Sequence, residues 1–154
     1  VQAWELEIRE SVRQTLADYT AATDSFALEA LAACFTADGV LQYPGGKPLT
    51  GPAAIEAGLG AQLGGPRDAA RPAATHVRHH VSSVRFSRVA RDRVEVTSYF
   101  AVYTDIGLDH WGRYRDVLVP HDGRWLFASR KITVDAFSAN SLMGGSAPDE
   151  LLGE

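Results

Sequence analysis

Apolar side chains at Trp4, Ile8, Val12, Leu16 and Tyr19 recur every three or four residues, with Glu5, Glu7, Arg9, Glu10, Arg13 and Gln14 between them. This spacing predicts an amphipathic helix of about five turns with one face turned to a core. A second, shorter helix is predicted over residues 26–35, with Leu28, Leu31 and Phe35 on one side and Ala37-Asp38-Gly39 as its stop. Val40-Leu41-Gln42-Tyr43 reads as a short strand, ended by Pro44-Gly45-Gly46 because proline cannot donate to a ladder. Thr50 and Pro52 then offer a cap and a first-turn proline to a third helix reaching about Leu63.

Residues 64–72 have loop composition, and beyond them the apolar period falls from 3.6 to 2. Strands are predicted at 75–88, 93–104, 111–120 and 124–135, joined through Ala90-Arg91-Asp92, Ile106-Gly107-Leu108-Asp109 and His121-Asp122-Gly123. Asp-Gly between two apolar strands is a strong hairpin signal, since both residues tolerate positive φ. The order helix, helix, strand, helix and four-strand meander predicts an α+β fold with helices on one face of an antiparallel sheet. From Ser138 the composition is that of a mobile tail (138–154) after a domain of residues 1–137, though Leu142, Met143, Leu151 and Leu152 can dock on a partner.

Composition narrows the function classes. A chain of 154 residues forms one domain able to bury a core without staples. A net charge of −4 argues against general nucleic-acid binding. No apolar run approaches the ~18 residues of a membrane span, and Trp4-Glu5-Leu6-Glu7 does not open like a secretory leader. The single cysteine, Cys34, cannot form an internal disulfide, so it reads as a small buried hydrophobe and a cytoplasmic location is expected.

Candidate chemistry centres on His76, His79 and His80 in the first long strand, where His76 and His80 share one face and His79 takes the other. Their spacing matches no standard metal motif, so no metal or other cofactor is expected. They are either solvated, with one half-buried, or one of them is a general acid or base, since histidine titrates near neutrality. Asp24 follows the apolar face of the first helix; it can cap the second helix or orient a pocket imidazole. Tyr43, Tyr99, Tyr103 and Tyr114 are core fillers or phenol donors to a carbonyl oxygen. Asp116 can act as an acid or base, or pair with Arg113, Arg115 or Arg130. The arginines between Arg67 and Arg93 alternate with acids as on a solvated face.

Several segments, in order, resemble the SnoaL-like group of the NTF2-like superfamily. They are residues 19–24, Leu28-x-x-Leu31, Cys34-Phe35-Thr36-Ala37-Asp38-Gly39, residues 49–55, Thr75-x-x-x-His79-x-Val81-Ser82, Gly112-Arg113-Tyr114-x-Asp116 and Gly123-Arg124-Trp125-x-Phe127. Together they span about residues 8–135. The resemblance implies a cone-shaped α+β barrel, three helices wrapped by a curved antiparallel sheet around an apolar pocket. It also implies cofactor-free proton transfer next to a carbonyl, the chemistry shared by scytalone dehydratase, bile-acid dehydratase, polyketide cyclases and ketosteroid isomerase.

By position in these motifs, the Asp, first His and one Tyr of scytalone dehydratase correspond to Asp24, His79 and Tyr43. Thr23 stands where that enzyme has its other tyrosine, and its second histidine falls near Trp111, with His110 adjacent. The ketosteroid isomerase base, an Asp before a Pro, is replaced by Tyr43-Pro44. The polyketide cyclase acid/base corresponds to Asp116. The resemblance therefore implies a dehydratase or isomerase with catalytic His79, Asp24 and Tyr43, and Tyr19, Tyr103, Trp111, Arg113 and Asp116 around an apolar, carbonyl-containing small molecule. The alternatives are an aldol-type cyclase using Asp116 and a ligand-binding protein without chemistry. A homodimer or homotrimer, pairing through the outer sheet face, is implied as well.

Overall fold

The N-terminal apolar repeat forms α1 (Ala3–Asp24) in a computed structural model that describes residues 1–64 and 75–142, with main chain only at 63 and 64. Ile8, Val12, Leu16 and Tyr19 form its buried side, as the spacing predicts. Glu5 accepts the Gln2 N–H at 3.4 Å, occupying a donor left over at the helix start. After Asp24 the chain reverses through Phe26, whose φ of 56° is left-handed, into α2 (Leu28–Ala32).

The second helix is shorter than the predicted 26–35. Phe35 opens β1 (Phe35–Gln42), and Ala37-Asp38-Gly39 is an irregularity inside that strand rather than a helix stop. Packing overrides the helical pattern here: the Phe35 ring lies 5.2 Å from that of Phe127 and its backbone pairs with Phe127. The next register contact is Val40 with Ser129, so the residues between bulge out of the ladder. Gly39 sits in the bulge where a Cβ would come within 2.7 Å of the Phe127 carbonyl oxygen, which only glycine avoids.

A two-residue strand, β2 (Leu49–Thr50), precedes α3 (Pro52–Gly64) and escaped prediction; Thr50 pairs with Val40 there. The meander follows as β3 (Val77–Val89), β4 (Val94–Thr104), β5 (Gly107–His121) and β6 (Arg124–Phe137). Asp122 and Gly123 both have positive φ in the β5–β6 turn, as the sequence requires. β5 starts at Gly107, so Asp109 belongs to a strand and not to the predicted turn. Among the described residues the sheet has six strands in the order β2-β1-β6-β5-β4-β3. It is mixed rather than wholly antiparallel, because β1 runs parallel to β6.

The helices lie on one face, with α1 against β3 and β6. The side chains Val12, Leu16 and Tyr19 meet Val94, Val96, Leu118 and Phe127 in the main core. A second cluster, Phe100, Val102 and Tyr114 with Val77, Val81, Ile132 and Val134, continues the same face of the sheet. Cys34 is buried, as expected. No helix among the described residues is long and apolar enough to cross a membrane. Of the predicted loop, residues 65–72 lie outside the described residues, as do Met143, Leu151 and Leu152. Leu142 is described, and its N–H donates to Asp109 of the same chain.

Candidate active site

Cross-strand register decides which side chains can meet. His79 pairs with Val102, Val102 with His110, and His110 with Phe137, one row across β3, β4, β5 and β6. Residues directly paired across strands project from the same face. Val102 is fully buried on the helix-covered face, so both histidines face the helix side.

Asp24 ends α1 beside this row. Its Oδ1 lies 2.6 Å from His79 Nδ1, and its two oxygens accept the His79 backbone N–H at 3.1 and 3.2 Å. β3 is the outermost strand, so a backbone N–H pointing away from β4 is free for the carboxylate. A carboxylate in the last turn of a helix faces the negative end of the dipole, and these donors offset that cost. The capping alternative for Asp24 fails, because α2 starts after Ala27 with no side-chain cap. A carboxylate only accepts, so Nδ1 carries the imidazole proton and Nε2 presents a lone pair. The His79 and Asp24 side chains are 16% and 13% exposed. Burial pulls the His79 pKa below its ordinary value; the Asp24 hydrogen bond and charge oppose this only in part, and His110 and Arg130 add to the lowering. His79 is therefore a neutral base near pH 7.

His110 is held in the same manner. Its Nδ1 lies 2.7 Å from Oδ2 of Asp109, whose side chain is wholly buried. The ring packs against Phe100 and Phe137, with centroids 6.0 and 5.5 Å away. Asp109 is the residue that the sequence did not single out: alternation alone would set it on the face opposite His110, and the register shift between Val102 and Tyr103 leaves it outside the β4–β5 pairing.

Tyr114 stacks on Phe100 at 4.5 Å and 20°. Burial pushes its phenol pKa up, so it stays protonated, and among the described residues its hydroxyl has no hydrogen-bond partner. Next to it Arg130 and Asp116 form a bidentate pair, 2.9 and 2.7 Å, with both side chains almost fully buried. The guanidinium lies 4.1–4.3 Å from the ring centroids of Tyr19, Tyr114 and Phe127. Burial alone disfavours the Arg130 cation, and the Asp116 charge and hydrogen bonds outweigh it. Asp116 thus has Arg130 as its partner, chosen from the three arginines open to it in the sequence.

The remaining predicted residues are placed elsewhere. Tyr19 is a buried core ring, edge-on to Phe35 and Phe127. Tyr43 lies just past β1 with its ring against Gly46, outside the His79–Asp24 hydrogen-bond network. Trp111, Tyr103 and Arg113 project from the outer face, opposite His79, and Tyr103 and Trp111 line a depression there. Tyr103 packs on His80 there, and Arg113 pairs with Asp135. His76 is 77% exposed. Two depressions of about 410 and 360 Å³ lie on that outer face and include neither His79 nor Asp24. Among the described residues no three His, Cys, Asp or Glu side chains converge as a metal cage would require.

The family model for the SnoaL-like domain matches residues 4–131. Among solved structures, the chain is similar to a protein of Catenulispora acidiphila in complex with S-DNPA, at 29% identity and TM-score 0.69 over 82% of this chain and 92% of that one. It is similar to ActVI-ORFA of Streptomyces coelicolor at 26% identity and TM-score 0.68, over 82% and 96%. A protein of Novosphingobium aromaticivorans described as a candidate scytalone dehydratase shares the fold, at 22% identity and TM-score 0.70 over 84% and 85%. No curated protein matches the chain.

Proposed function

The chain belongs to the family of SnoaL-like domains, and on that footing we propose that it is a cofactor-independent dehydratase of β-hydroxy carbonyl compounds with an apolar, aromatic or polyketide-like skeleton. One observation carries the proposal: a largely buried His79 fixed by Asp24, with no hydrogen bond to its Nε2 among the described residues, on the face that carries the apolar cluster of Phe100, Val102 and Tyr114. His79 Nε2 takes the proton alpha to the carbonyl. The electron pair of that C–H bond becomes the new C=C bond as the C–O bond to the hydroxyl breaks. The His79 imidazolium returns its proton to the departing oxygen, which leaves as water, and the base is regenerated. Asp24 holds the transient positive charge and the ring orientation.

Two further groups complete the assignment. The Tyr114 phenol donates to the carbonyl oxygen as negative charge builds there, the role first expected of Tyr43. His110, two strands from His79 with Val102 between them in the same row, accepts a hydrogen bond from the leaving hydroxyl at Nε2, while the hydroxyl keeps its hydrogen and gains its second proton from His79 alone. A small-molecule ligand in a relative of 29% identity is consistent with such a site. The exposed outer aromatics Tyr99, Tyr103 and Trp111 suit a homodimer or homotrimer that pairs through the sheet.

A suitable probe is 3-hydroxy-1-tetralone, which aromatises to 1-naphthol on losing water and is followed by naphthol fluorescence. The folded wild type is expected to accelerate this loss, with His79→Ala and Asp24→Asn reduced roughly 10²–10⁴-fold. Full turnover by both variants would sink the proposal, and saturable tetralone binding without naphthol would favour a non-catalytic binding protein.

A further inference from the structure

Asp109 does more than accept one bond from His110. Its Oδ2 also accepts Ser141 Oγ–H at 2.7 Å, its Oδ1 accepts the Leu142 N–H at 2.5 Å, and its backbone carbonyl accepts the Ser138 N–H at 2.8 Å. Burial works against the charge, yet the bonds from His110, Ser141 and Leu142 outweigh it and hold the carboxyl below its ordinary range. An ionised carboxylate this deeply buried needs its donors, and two of the three side-chain bonds come from the segment after β6. That segment is therefore joined, through one carboxylate, to a ring on the candidate catalytic face.

We infer that Asp109 is a positioning residue that fixes His110 as its Nδ1–H tautomer, and that the seated segment of residues 138–142 fixes Asp109. The inference rests on the proposed role of His110 as acceptor of the leaving hydroxyl. With Nδ1 donating to Asp109, Nε2 is the acceptor turned away from the carboxylate. With the carboxylate gone, Nδ1 has no acceptor for its proton among the described residues, so the ring falls back on the Nε2–H form that a free neutral histidine favours and loses its orientation. The pair is the counterpart of Asp24–His79 with one difference. Asp24 is anchored in a helix of 22 residues, whereas Asp109 is completed by a short segment docked at the sheet end.

The test reads the tautomer directly, in the full chain labelled with 15N, from long-range 1H–15N correlations of the His110 ring. Wild type is expected to show a protonated Nδ1 and a bare Nε2. Asp109→Ala is expected to move the proton to Nε2 and to lower kcat on 3-hydroxy-1-tetralone about tenfold or more, with KM changed far less. Ser141→Ala keeps the carboxylate but removes one outside donor. It is expected to give a mixture of tautomers and a kcat loss of about three- to fivefold. It also carries the test if Asp109→Ala does not fold.

A wild-type His110 protonated at Nε2, or an Nδ1–H His110 that survives Asp109→Ala, overturns the inference. A Ser141→Ala protein indistinguishable from wild type overturns the part assigned to the segment. The ring spectrum needs no substrate, so a wild type inert toward the tetralone overturns the proposed reaction alone. The tautomer shift in the same samples would still support the positioning role.

Discussion

Among the described residues, Asp116 and Arg130 are the charged pair that the fold has most completely taken out of water, and replacing Asp116 by Asn measures what that arrangement costs and supplies. The substitution keeps the shape of the side chain and one acceptor, but it leaves the guanidinium uncompensated at 1% exposure. Removing one partner of a buried ion pair costs about 3–5 kcal/mol, because the other charge keeps its desolvation penalty. Against a total stability of about 5–15 kcal/mol this is a large fraction. For a domain of this size it corresponds to a fall in Tm of roughly 6–20 °C.

Replacing both partners tests the cause. In Asp116→Leu combined with Arg130→Met, no charge is buried, and the thioether still packs on Tyr19, Tyr114 and Phe127. The double variant is therefore expected to be more stable than either single one, with a favourable coupling of about 2 kcal/mol or more. Urea unfolding followed by circular dichroism gives all the corners of the cycle. Single effects that simply add, or an Asp116→Asn protein with wild-type Tm, would refute the electrostatic account. An Asp116→Asn protein with native stability and no dehydratase turnover would return the acid/base role to Asp116, as in an aldol-type cyclase.

Burial holds His79 below the ordinary value of 6.5, so the acid limb of kcat/KM should inflect below pH 6.5, measured with the tetralone probe. Asp24 opposes that lowering; Asp24→Asn should therefore move the inflection to still lower pH while reducing the plateau, and an upward shift would contradict the pairing. The same depressed pKa has a linked stability effect. The unfolded chain takes up the proton first, so the contribution of His79 to stability is present above pH 6.5 and lost as pH falls toward the folded value. A His79→Phe variant should show a shallower loss of Tm over that window. On the outer face, the proposed pairing predicts a dimer or trimer for wild type in light scattering and a monomer with intact tetralone turnover for Trp111→Glu; an unchanged mass would remove Trp111 from the interface. Gly112→Ala should destabilise the β5–β6 pair by about 1–3 kcal/mol in urea, since its Cβ would meet the Thr133 carbonyl oxygen and the Phe100 ring.

The fold was largely legible because its signals are local. α1 follows from a 3.6 repeat, and the β5–β6 hairpin from an Asp-Gly that needs positive φ at two adjacent residues. The misread region, residues 26–50, is where distant contacts decide. Phe35 is a strand residue because of Phe127, ninety-two positions away in the chain, and β1 runs parallel to β6, a pairing that no hairpin signal announces. Leu49 and Thr50 form a strand only because Val40 and Leu41 are already in the sheet to receive them.

The site was legible where a motif named a residue and illegible where register chose between neighbours. Asp24 and His79 came from motif position, and the structure brings them together. The second histidine of the motif was assigned near Trp111, one residue from His110. In a strand that single step reverses the face, and with it the choice between the helix-covered side and the outer surface. Alternation counted from the start of β5 settles nothing by itself, since β3–β4, β4–β5 and β5–β6 each carry register shifts. Val102 resolves it: it pairs with both His79 and His110, and its complete burial commits all three side chains to one face. The same step sends Tyr103, Trp111 and Arg113 outward together. The proposed chemistry and the proposed pairing of subunits therefore fall on opposite faces of the same strands. The chemistry of the inner face can be altered without touching the outer one, and a substitution at Trp111 that abolished turnover in a still-oligomeric protein would show that the division is wrong.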